Sequence, residues 1–294
     1  MVEQLTNQAE RVALLPRVDM QVEFQRLVGF DVARHEHRSA VIPEGVHAGT
    51  VRRAAGRVDQ AIADRGHPWP PGVAELIDAI VELPASRHGL PLVVTVGRLH
   101  PAKGIERVVR AWATTDLARR SNLIVVGGDL AHPSAEELGV LSTISEFTVE
   151  GRHPGLVLLG QRPHEQVAHI LAAAARGAAP VVGAGGVYVC GAPKEEFGLA
   201  IVEALAAGLP VVAPQRGGPA AYVRDGTSGV LVDTTSAPAI SDGIERALVL
   251  ATDRATVGAA SQWVLEELTI EAMADRLVDL YRSAVTVTAG PPSR

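Results

Sequence analysis

Short, nearly uninterrupted apolar runs recur along the second part of the chain, and helical spacing follows several of them. Apolar runs without polar alternation are typical of strands buried on both faces, and their alternation with helices predicts a parallel sheet. We therefore predict a doubly wound, Rossmann-like α/β domain over residues 90–260, with helices at 105–114 and 165–175. The six runs lie within residues 91–97, 123–129, 155–160, 186–190, 209–213 and 229–233.

The flanking segments have a different pattern. A weak helical pattern covers residues 22–32, the extended Pro-containing stretch at 41–46 reads as a connector, and the proline cluster at 68–71 predicts a loop. Residues 269–284 place apolar side chains at helical spacing, which predicts an amphipathic packing helix. We divide the chain into an N-terminal part at 1–89, the sheet domain at 90–260, and a final helix with its tail at 261–294.

Composition and charge exclude several classes of protein. The net charge is -6 and no basic cluster is present, which argues against a nucleic-acid partner. No apolar segment is long enough for a membrane span, and the N-terminus has no signal-peptide pattern. Cys190 is the single cysteine and lies in a predicted buried strand, so we expect a structural thiol, no disulfide and a cytoplasmic protein. Metal ligands are not clustered, and we expect no metal.

The first candidate for chemistry is the segment Gly97 to Ile105, which follows the first strand. Gly97 allows a tight turn, and the cations Arg98 and Lys103 bracket a short loop before the next helix. Two cations there could hold a diphosphate and stabilise it as a leaving group. The structural alternative is an arginine that caps strand carbonyls beside a solvated lysine. The sequence holds only two lysines, Lys103 and Lys194, and we interpret Lys194 as solvated.

The second candidate runs from Glu195 to Glu203. A Phe-Gly-Leu turn, residues 197–199, opens a helix that ends at Gly208. Free N–H groups at a helix start bind oxyanions, and carboxylates accept strong hydrogen bonds from sugar hydroxyls. The structural alternative is two solvated glutamates favourable to the helix dipole, but Glu203 interrupts an otherwise apolar row. Because such motifs follow strands of one parallel sheet, we expect them to meet in one cleft that binds a nucleotide sugar.

Taken together, these segments resemble the retaining GT-B-type glycosyltransferases of family four, within them the sucrose-phosphate synthase and sucrose synthase branch. The resemblance covers roughly residues 90–250, and the stretch at 41–46 looks like the interdomain connector of that family. The segments that carry it are VGRLHPAKGI, LIVVGGDLAHPSAEEL, YVCGAPKEEFGLAIVEALAAGLPVVA and QRGGPAAYVRDGTSGVLVD.

The resemblance implies a donor domain for a UDP-, ADP- or GDP-hexose. Arg98 and Lys103 would contact the diphosphate, Glu195 the hexose and Glu203 the ribose, with catalysis assigned to Arg98, Lys103 and Glu195. The resemblance also implies retention of the anomeric configuration, with no protein nucleophile and no metal. The remaining donor-binding residues would be Gly97, Gly127, Gly128, Arg162, Phe197, Gly198 and Leu199.

The chain also departs from the family pattern. An acid is frequent in the family where Ala221 stands, and only about 40 residues precede the connector, too few for an acceptor-binding domain on size grounds. A partner chain could supply that domain, and the acceptor is unknown. The main alternative is a nucleotide-sugar-binding module without independent catalysis. A nicotinamide-dependent dehydrogenase fits poorly, since Tyr188 stands where its fingerprint needs glycine. A related epimerase or glycan phosphorylase stays open.

Overall fold

The computed structural model of the protein describes residues 9, 11–16, 20–29, 31–64, 66–148 and 154–288. Its first part is a small parallel pair of strands, β1 (Val12–Leu14) and β2 (Ser39–Val41), connected through helix α1 (Met20–Val28) and a 3₁₀ segment, Ala33–Arg38. The sequence did not predict these strands, because three residues are too few to show a pattern. Residue 30 of the predicted 22–32 helix, residues 1–8 and residues 289–294 lie outside the described residues.

A six-stranded parallel sheet forms the centre of the protein, which confirms the predicted doubly wound α/β class. Its spatial order is β5-β4-β3-β6-β7-β8. Valine and leucine dominate these strands, and nearly all of their side chains are buried, as expected for a sheet that is covered on both faces. The strands are β3 (Leu92–Val96), β4 (Asn122–Val126), β5 (Leu156–Gly160), β6 (Val187–Val189), β7 (Val211–Pro214) and β8 (Gly229–Val232).

Two helical layers cover the sheet, each with its own apolar core. One core includes Val58, Leu76 and Ile170 with one face of the sheet, and the other includes Trp112 and Ile244 with the opposite face. The helices before the last are α2 (Ala48–Ala63), α3 (Val73–Val81), α4 (Ile105–Ala113), α5 (Leu117–Arg120), α6 (Ala135–Ser145), α7 (His164–Arg176), α8 (Leu199–Ala207), α9 (Pro219–Tyr222), α10 (Ala237–Leu250) and α11 (Arg254–Glu267).

Helices α2 and α3 share a core with the sheet although they precede residue 90. Val51 and Val58 of α2 and Leu76 of α3 belong to the same cluster as Val94 of β3. The domain boundaries at residues 89/90 and 260/261 therefore stay predictions, while packing joins the helices of residues 48–81 to the sheet. The proline cluster at 68–71 is a loop between these two helices, as predicted.

The final helix, α12 (Ile270–Thr288), connects the two ends of the described chain. The Arg11 guanidinium, just before β1, donates from Nε to the Ser283 hydroxyl at 3.1 Å. Val46, at the end of the predicted connector, pairs with Thr269 directly before α12. The last helix thus runs from the connector to the N-terminal strand pair, and its start lies one residue from the predicted one.

Strand order creates a crevice at one edge of the sheet. The chain moves from β3 outward to β4 and β5, then returns to place β6 on the other side of β3. Loops that follow β3 and β6 therefore diverge, and ligands of such sheets bind where the strand order reverses. The loop after β3 is the Gly97–Lys103 segment, and the loop after β6 leads to Glu195, so both predicted motifs lie at this point.

Candidate functional site

A cleft of about 460 Å³ opens between the loops that follow β3 and β6. Glu44 and Cys190 line it together with residues that the sequence singled out. Seven predicted site residues line this cleft: Gly97, Arg98, Lys103, Glu195, Phe197, Gly198 and Leu199. The expected convergence on one cleft holds for these seven.

The cleft holds a close ion pair between its two motifs. Lys103 Nζ lies 2.5 Å from Glu195 Oε1, and the two side chains are 34% and 16% exposed. Arg98, on the same rim, is exposed and has no ion-pair partner among the described residues. An ammonium group carries three donors, so Lys103 can hold Glu195 and still donate to a ligand. The cleft therefore presents the cations Arg98 and Lys103 beside the mostly covered Glu195, and the carboxylates of Glu44 and Glu196 also line it.

The turn that carries Glu195 is fixed from its far side. The Tyr222 hydroxyl donates to the Phe197 carbonyl at 2.5 Å, and the two rings lie 5.2 Å apart. The Gly218 N–H donates to the Glu195 carbonyl at 2.9 Å. Gly218 approaches so closely that a Cβ there would lie 2.2 Å from the Glu196 carbonyl oxygen. These contacts hold the carboxylate and the helix start in place without a ligand.

Helix α8 begins at this turn with an unsatisfied end. Gly198 is its N-cap, with a left-handed φ of 88°, and it offers no side chain to cap the first N–H groups. The N–H groups of Leu199 and Ala200 belong to the first turn, where an α-helix has no internal acceptors. Both residues line the cleft. The start of α8 thus adds partial positive charge to the two cations.

Gly127 and Gly128 lie behind the cleft and are not part of its lining. Both follow β4 with positive φ, and a Cβ on Gly127 would lie 1.8 Å from the Gly97 carbonyl oxygen. The Gly127 backbone therefore supports the turn at Gly97 directly. Because the chain turns at Gly127, strand β4 ends at Val126 and not near residue 129 as predicted.

Glu203 lies outside the cleft lining, in a second, smaller hollow. It is the fifth residue of α8, one turn beyond the helix start, and its side chain is 18% exposed. Its Oε1 lies 2.7 Å from His164 Nε2 at the start of α7. His47 and Thr50 of the α2 start also line this hollow. The expectation that Glu203 would share the cleft with Glu195 is therefore corrected: Glu195 precedes the N-cap of α8, while Glu203 lies inside the helix and lines the second hollow with the starts of α2 and α7.

Arg162 also turns away from the cleft. Its Nε lies 2.6 Å from Glu75 Oε2, and its side chain is 25% exposed. The partner comes from α3, which the sequence reasoning did not connect with the β5 loop. The pair connects the loop of residues 161–163, in which a donor-binding residue was expected, to α3.

Sequence reasoning missed two groups near these sites. Glu44, in the connector, lines the cleft, and nothing in its short motif marked it as a cleft residue. His164 received no role from the sequence, whereas it begins α7 and pairs with Glu203. A histidine directly after a strand and a short loop was the available signal, but its partner lies 39 residues away in the sequence.

Cys190 forms part of the cleft floor and is buried, as expected for a structural thiol. Burial, followed by the negative charge of Glu195, raises the pKa of this thiol to about 12. Burial likewise raises the pKa of the Tyr188 and Tyr222 hydroxyls well above the ordinary value. These groups stay neutral at physiological pH, so the charged groups that line the cleft are Arg98 and Lys103 with the carboxylates of Glu44, Glu195 and Glu196.

No group of three or more histidine, cysteine, aspartate or glutamate side chains among the described residues is arranged to hold a metal ion. None of the described helices combines the length and the apolarity that crossing a bilayer requires.

The family profile described as "Glycosyl transferases group 1" matches residues 77–262, more than half of the chain. The chain belongs to this family. This membership agrees with the resemblance that the motifs indicated. The matched range contains the whole six-stranded sheet and both loops of the cleft.

Similar proteins include several named D-inositol 3-phosphate glycosyltransferase. The protein of Corynebacterium aurimucosum is 30% identical over 225 residues, which cover 71% of this chain and 48% of the relative. The protein of Nocardioides sp. is 33% identical over 217 residues, which cover 68% of this chain and 44% of the relative. The aligned region thus spans about half the length of these relatives.

Solved structures support the same fold. A sucrose-phosphate synthase from Thermosynechococcus elongatus has a TM-score of 0.65 at 26% identity, over 96% of this chain and 61% of that one. Anabaena Alr3699/HepE in complex with UDP and glucose has a TM-score of 0.64 at 18% identity, over 96% and 65% of the two chains.

Proposed function

We propose that this chain forms the donor-binding half of a retaining glycosyltransferase, which transfers a hexose from a nucleoside-diphosphate sugar to an acceptor. The observation that carries the proposal is the arrangement of Arg98, Lys103 and Glu195 around one cleft at the reversal of strand order. Two cations and a helix start suit a diphosphate, and a carboxylate beside them suits the hydroxyls of the attached sugar.

The proposed reaction uses charge stabilisation and needs no protein nucleophile. As the bond between the sugar C1 and the phosphate oxygen breaks, Arg98, Lys103 and the start of α8 stabilise the charge that develops on the departing diphosphate. The acceptor oxygen bonds to C1 on the same face, and its proton passes to the departing phosphate oxygen. Glu195 accepts hydrogen bonds from hexose hydroxyls. The proposal assigns no step to a metal ion.

The nucleoside half would extend toward the rim of the second hollow, whose volume of about 10 Å³ has room for one water molecule and not for a ribose. Glu203 would accept the ribose hydroxyls, the loop at Arg162 would lie near the base, and the Gly127–Gly128 turn would pass close to the nucleotide. The Anabaena structure that contains UDP and glucose shares the fold, which makes UDP-glucose the first donor to test. ADP- and GDP-hexoses follow.

Fewer residues are available to bind the acceptor than to bind the donor. Among the described residues that line the cleft, only Glu44 precedes Thr95 in the chain. We therefore include a partner chain that supplies acceptor-binding groups in the proposal. The same observation favours a second candidate function, a nucleotide-sugar-binding module without transfer activity of its own. A free cysteine suits a reducing compartment, which supports the cytoplasm as the site of action.

Titration calorimetry with UDP-, ADP- and GDP-glucose tests donor binding. We expect at least one to bind, with weaker binding in Lys103→Ala and unchanged binding in Lys194→Ala, which removes the other lysine. Failure of all three donors to bind at millimolar concentration would contradict both candidate functions. A transfer or donor-hydrolysis assay on the binding donor then separates the enzyme from the module.

A further inference from the structure

The hollow around Glu203 contains a contact that the proposed reaction does not use. His164 Nε2 and Glu203 Oε1 are 2.7 Å apart, while the histidine is 55% exposed and the glutamate only 18% exposed. One oxygen of the Glu203 carboxylate, Oε1, therefore contacts the imidazole at the rim of the hollow. The contact thus selects one orientation of the carboxylate before any ligand arrives.

The backbone that carries His164 is fixed on both sides. Two residues before it, Arg162 pairs with Glu75 of α3 at 2.6 Å. One residue after it, Glu165 pairs with Arg57 of α2 at 2.8 Å. The α7 start is therefore tied to two neighbouring helices. Both ion pairs are partly exposed and contribute little, but the buried side chains of Val167, Ile170 and Leu171 anchor α7, so the imidazole at its start can support a side chain on α8.

We propose that His164 positions the Glu203 carboxylate for the ribose hydroxyls of the donor, an inference that rests on the proposed function. An ionised carboxylate has about four lone-pair sites on its two oxygens. The imidazole occupies one of them, which leaves Oε2 and a further site on Oε1 for two adjacent hydroxyls. A glutamate without this support must be ordered when the ligand binds, which weakens binding. His164 is thus a positioning residue for the nucleoside half.

The test compares two ligands that differ only in having a nucleoside. Calorimetry measures UDP, ADP or GDP, whichever the wild-type protein binds, against inorganic diphosphate. We expect His164→Ala to weaken nucleoside-diphosphate binding about fivefold, the scale of one hydrogen bond, and to leave inorganic diphosphate unchanged. His164→Gln, which keeps an N–H donor, should recover part of the loss. His132→Ala, an exposed histidine after β4, is the matched control and should change neither ligand.

A double variant separates positioning from a general structural effect. In a Glu203→Ala background, His164→Ala should cause no further loss, because there is no carboxylate left to position. A fivefold loss in that background, or equal losses for both ligands, would overturn the inference. Unchanged nucleotide binding in His164→Ala would also overturn the inference. Tighter binding in this variant would overturn it as well, because it would show that the imidazole blocks the ribose.

The failure of the inference and that of the proposed function give different results. Wild-type protein that binds none of the three nucleotides would overturn the proposed function and the inference with it. Wild-type protein that binds one of them, with the same affinity in His164→Ala, would overturn the inference alone. Thermal unfolding of each variant establishes that the fold is retained.

Discussion

Two carboxylates on one segment, Glu195 and Glu203, have similar local settings but lie in different places. Each is mostly covered, and each meets a cationic or imidazole nitrogen from another loop, Lys103 at 2.5 Å and His164 at 2.7 Å. Glu195 lies before the start of α8, in the cleft at the reversal of strand order. Glu203 lies one turn inside α8, in a hollow bounded by α2 and α7.

The difference shows how one short motif can serve two parts of a ligand. Glu195 precedes the N-cap of α8 and Glu203 is the fifth residue of that helix, so the two carboxylates lie on either side of its first turn and face different hollows. The Glu195 end combines cations and free N–H groups, which suit phosphate and sugar. The Glu203 end has an acid and two imidazoles, His164 and His47, and lacks that positive charge.

The largest expected effect comes from a substitution at Gly127, whose backbone supports the turn at Gly97 behind the cleft. In Gly127→Ala, a Cβ would meet the Gly97 carbonyl oxygen at 1.8 Å, at a residue with a φ of 137°. We expect a loss of about 3 kcal/mol in unfolding free energy, measured by denaturant titration. Inorganic diphosphate binding should weaken as well, because the turn at Gly97 must move.

Gly139→Ala is the control for that substitution. Gly139 lies within α6, and a Cβ there would meet nothing within 4 Å. Alanine in a helix interior should stabilise the protein by about 0.5–1 kcal/mol. Equal stability changes in the two variants would show that the Gly97–Gly127 approach is unimportant.

The next effect concerns the two cations of the cleft. Arg98→Ala and Lys103→Ala should each weaken nucleotide-sugar binding by about 1.5–3 kcal/mol, the range for a hydrogen bond to a charged group. We expect the larger loss for Lys103→Ala, because it also leaves Glu195 without its partner beside the diphosphate. Calorimetry measures both.

The paired variant Lys103→Ala/Glu195→Ala sharpens this result. If the unpaired carboxylate repels the diphosphate, the double variant should bind inorganic diphosphate more tightly than Lys103→Ala alone. Unchanged donor affinity in both Arg98→Ala and Lys103→Ala would show that these two cations do not bind the donor.

A crossed comparison of the two acids has a smaller expected effect. Glu203→Ala should weaken nucleoside-diphosphate binding by about 1–1.5 kcal/mol and leave inorganic diphosphate unchanged. Glu195→Ala should weaken a nucleotide sugar more than the matching nucleoside diphosphate. Calorimetry with the three ligands tests both variants, and equal losses across the ligands would contradict the division between the two hollows.

The fold was largely predictable because buried parallel strands leave a strong local pattern. The six apolar runs identified every strand of the large sheet, and their order along the chain located Arg98, Lys103 and Glu195 after strands. The pair β1 and β2 was not predictable, since three-residue strands carry no periodicity. Strand order across the sheet, which decides that β3 and β6 are neighbours, also leaves no local signal.

Side-chain partners were the least predictable part of the site. Lys103 and Glu195 are 92 residues apart, and His164 and Glu203 are 39 apart. Each pair depends on how two loops or helices pack, which hydrophobic patterning does not specify. The sequence therefore identified the charged residues of the cleft, but it did not show that Glu203 belongs to another hollow.

The smallest expected effect uses Cys190 as a probe of the two carboxylates. Its thiol has a pKa of about 12, raised by burial and then by Glu195, so at pH 8 it is protonated and should react slowly with a thiol reagent. Glu195→Gln removes a raising charge, which lowers the pKa and should speed labelling by up to about tenfold per pKa unit. Glu203→Gln should leave the rate unchanged, because Glu203 lies in the other hollow. Since Cys190 is the only cysteine in the sequence, reagent kinetics on folded protein report this site alone, and equal acceleration by both variants would show that the two carboxylates share one electrostatic environment.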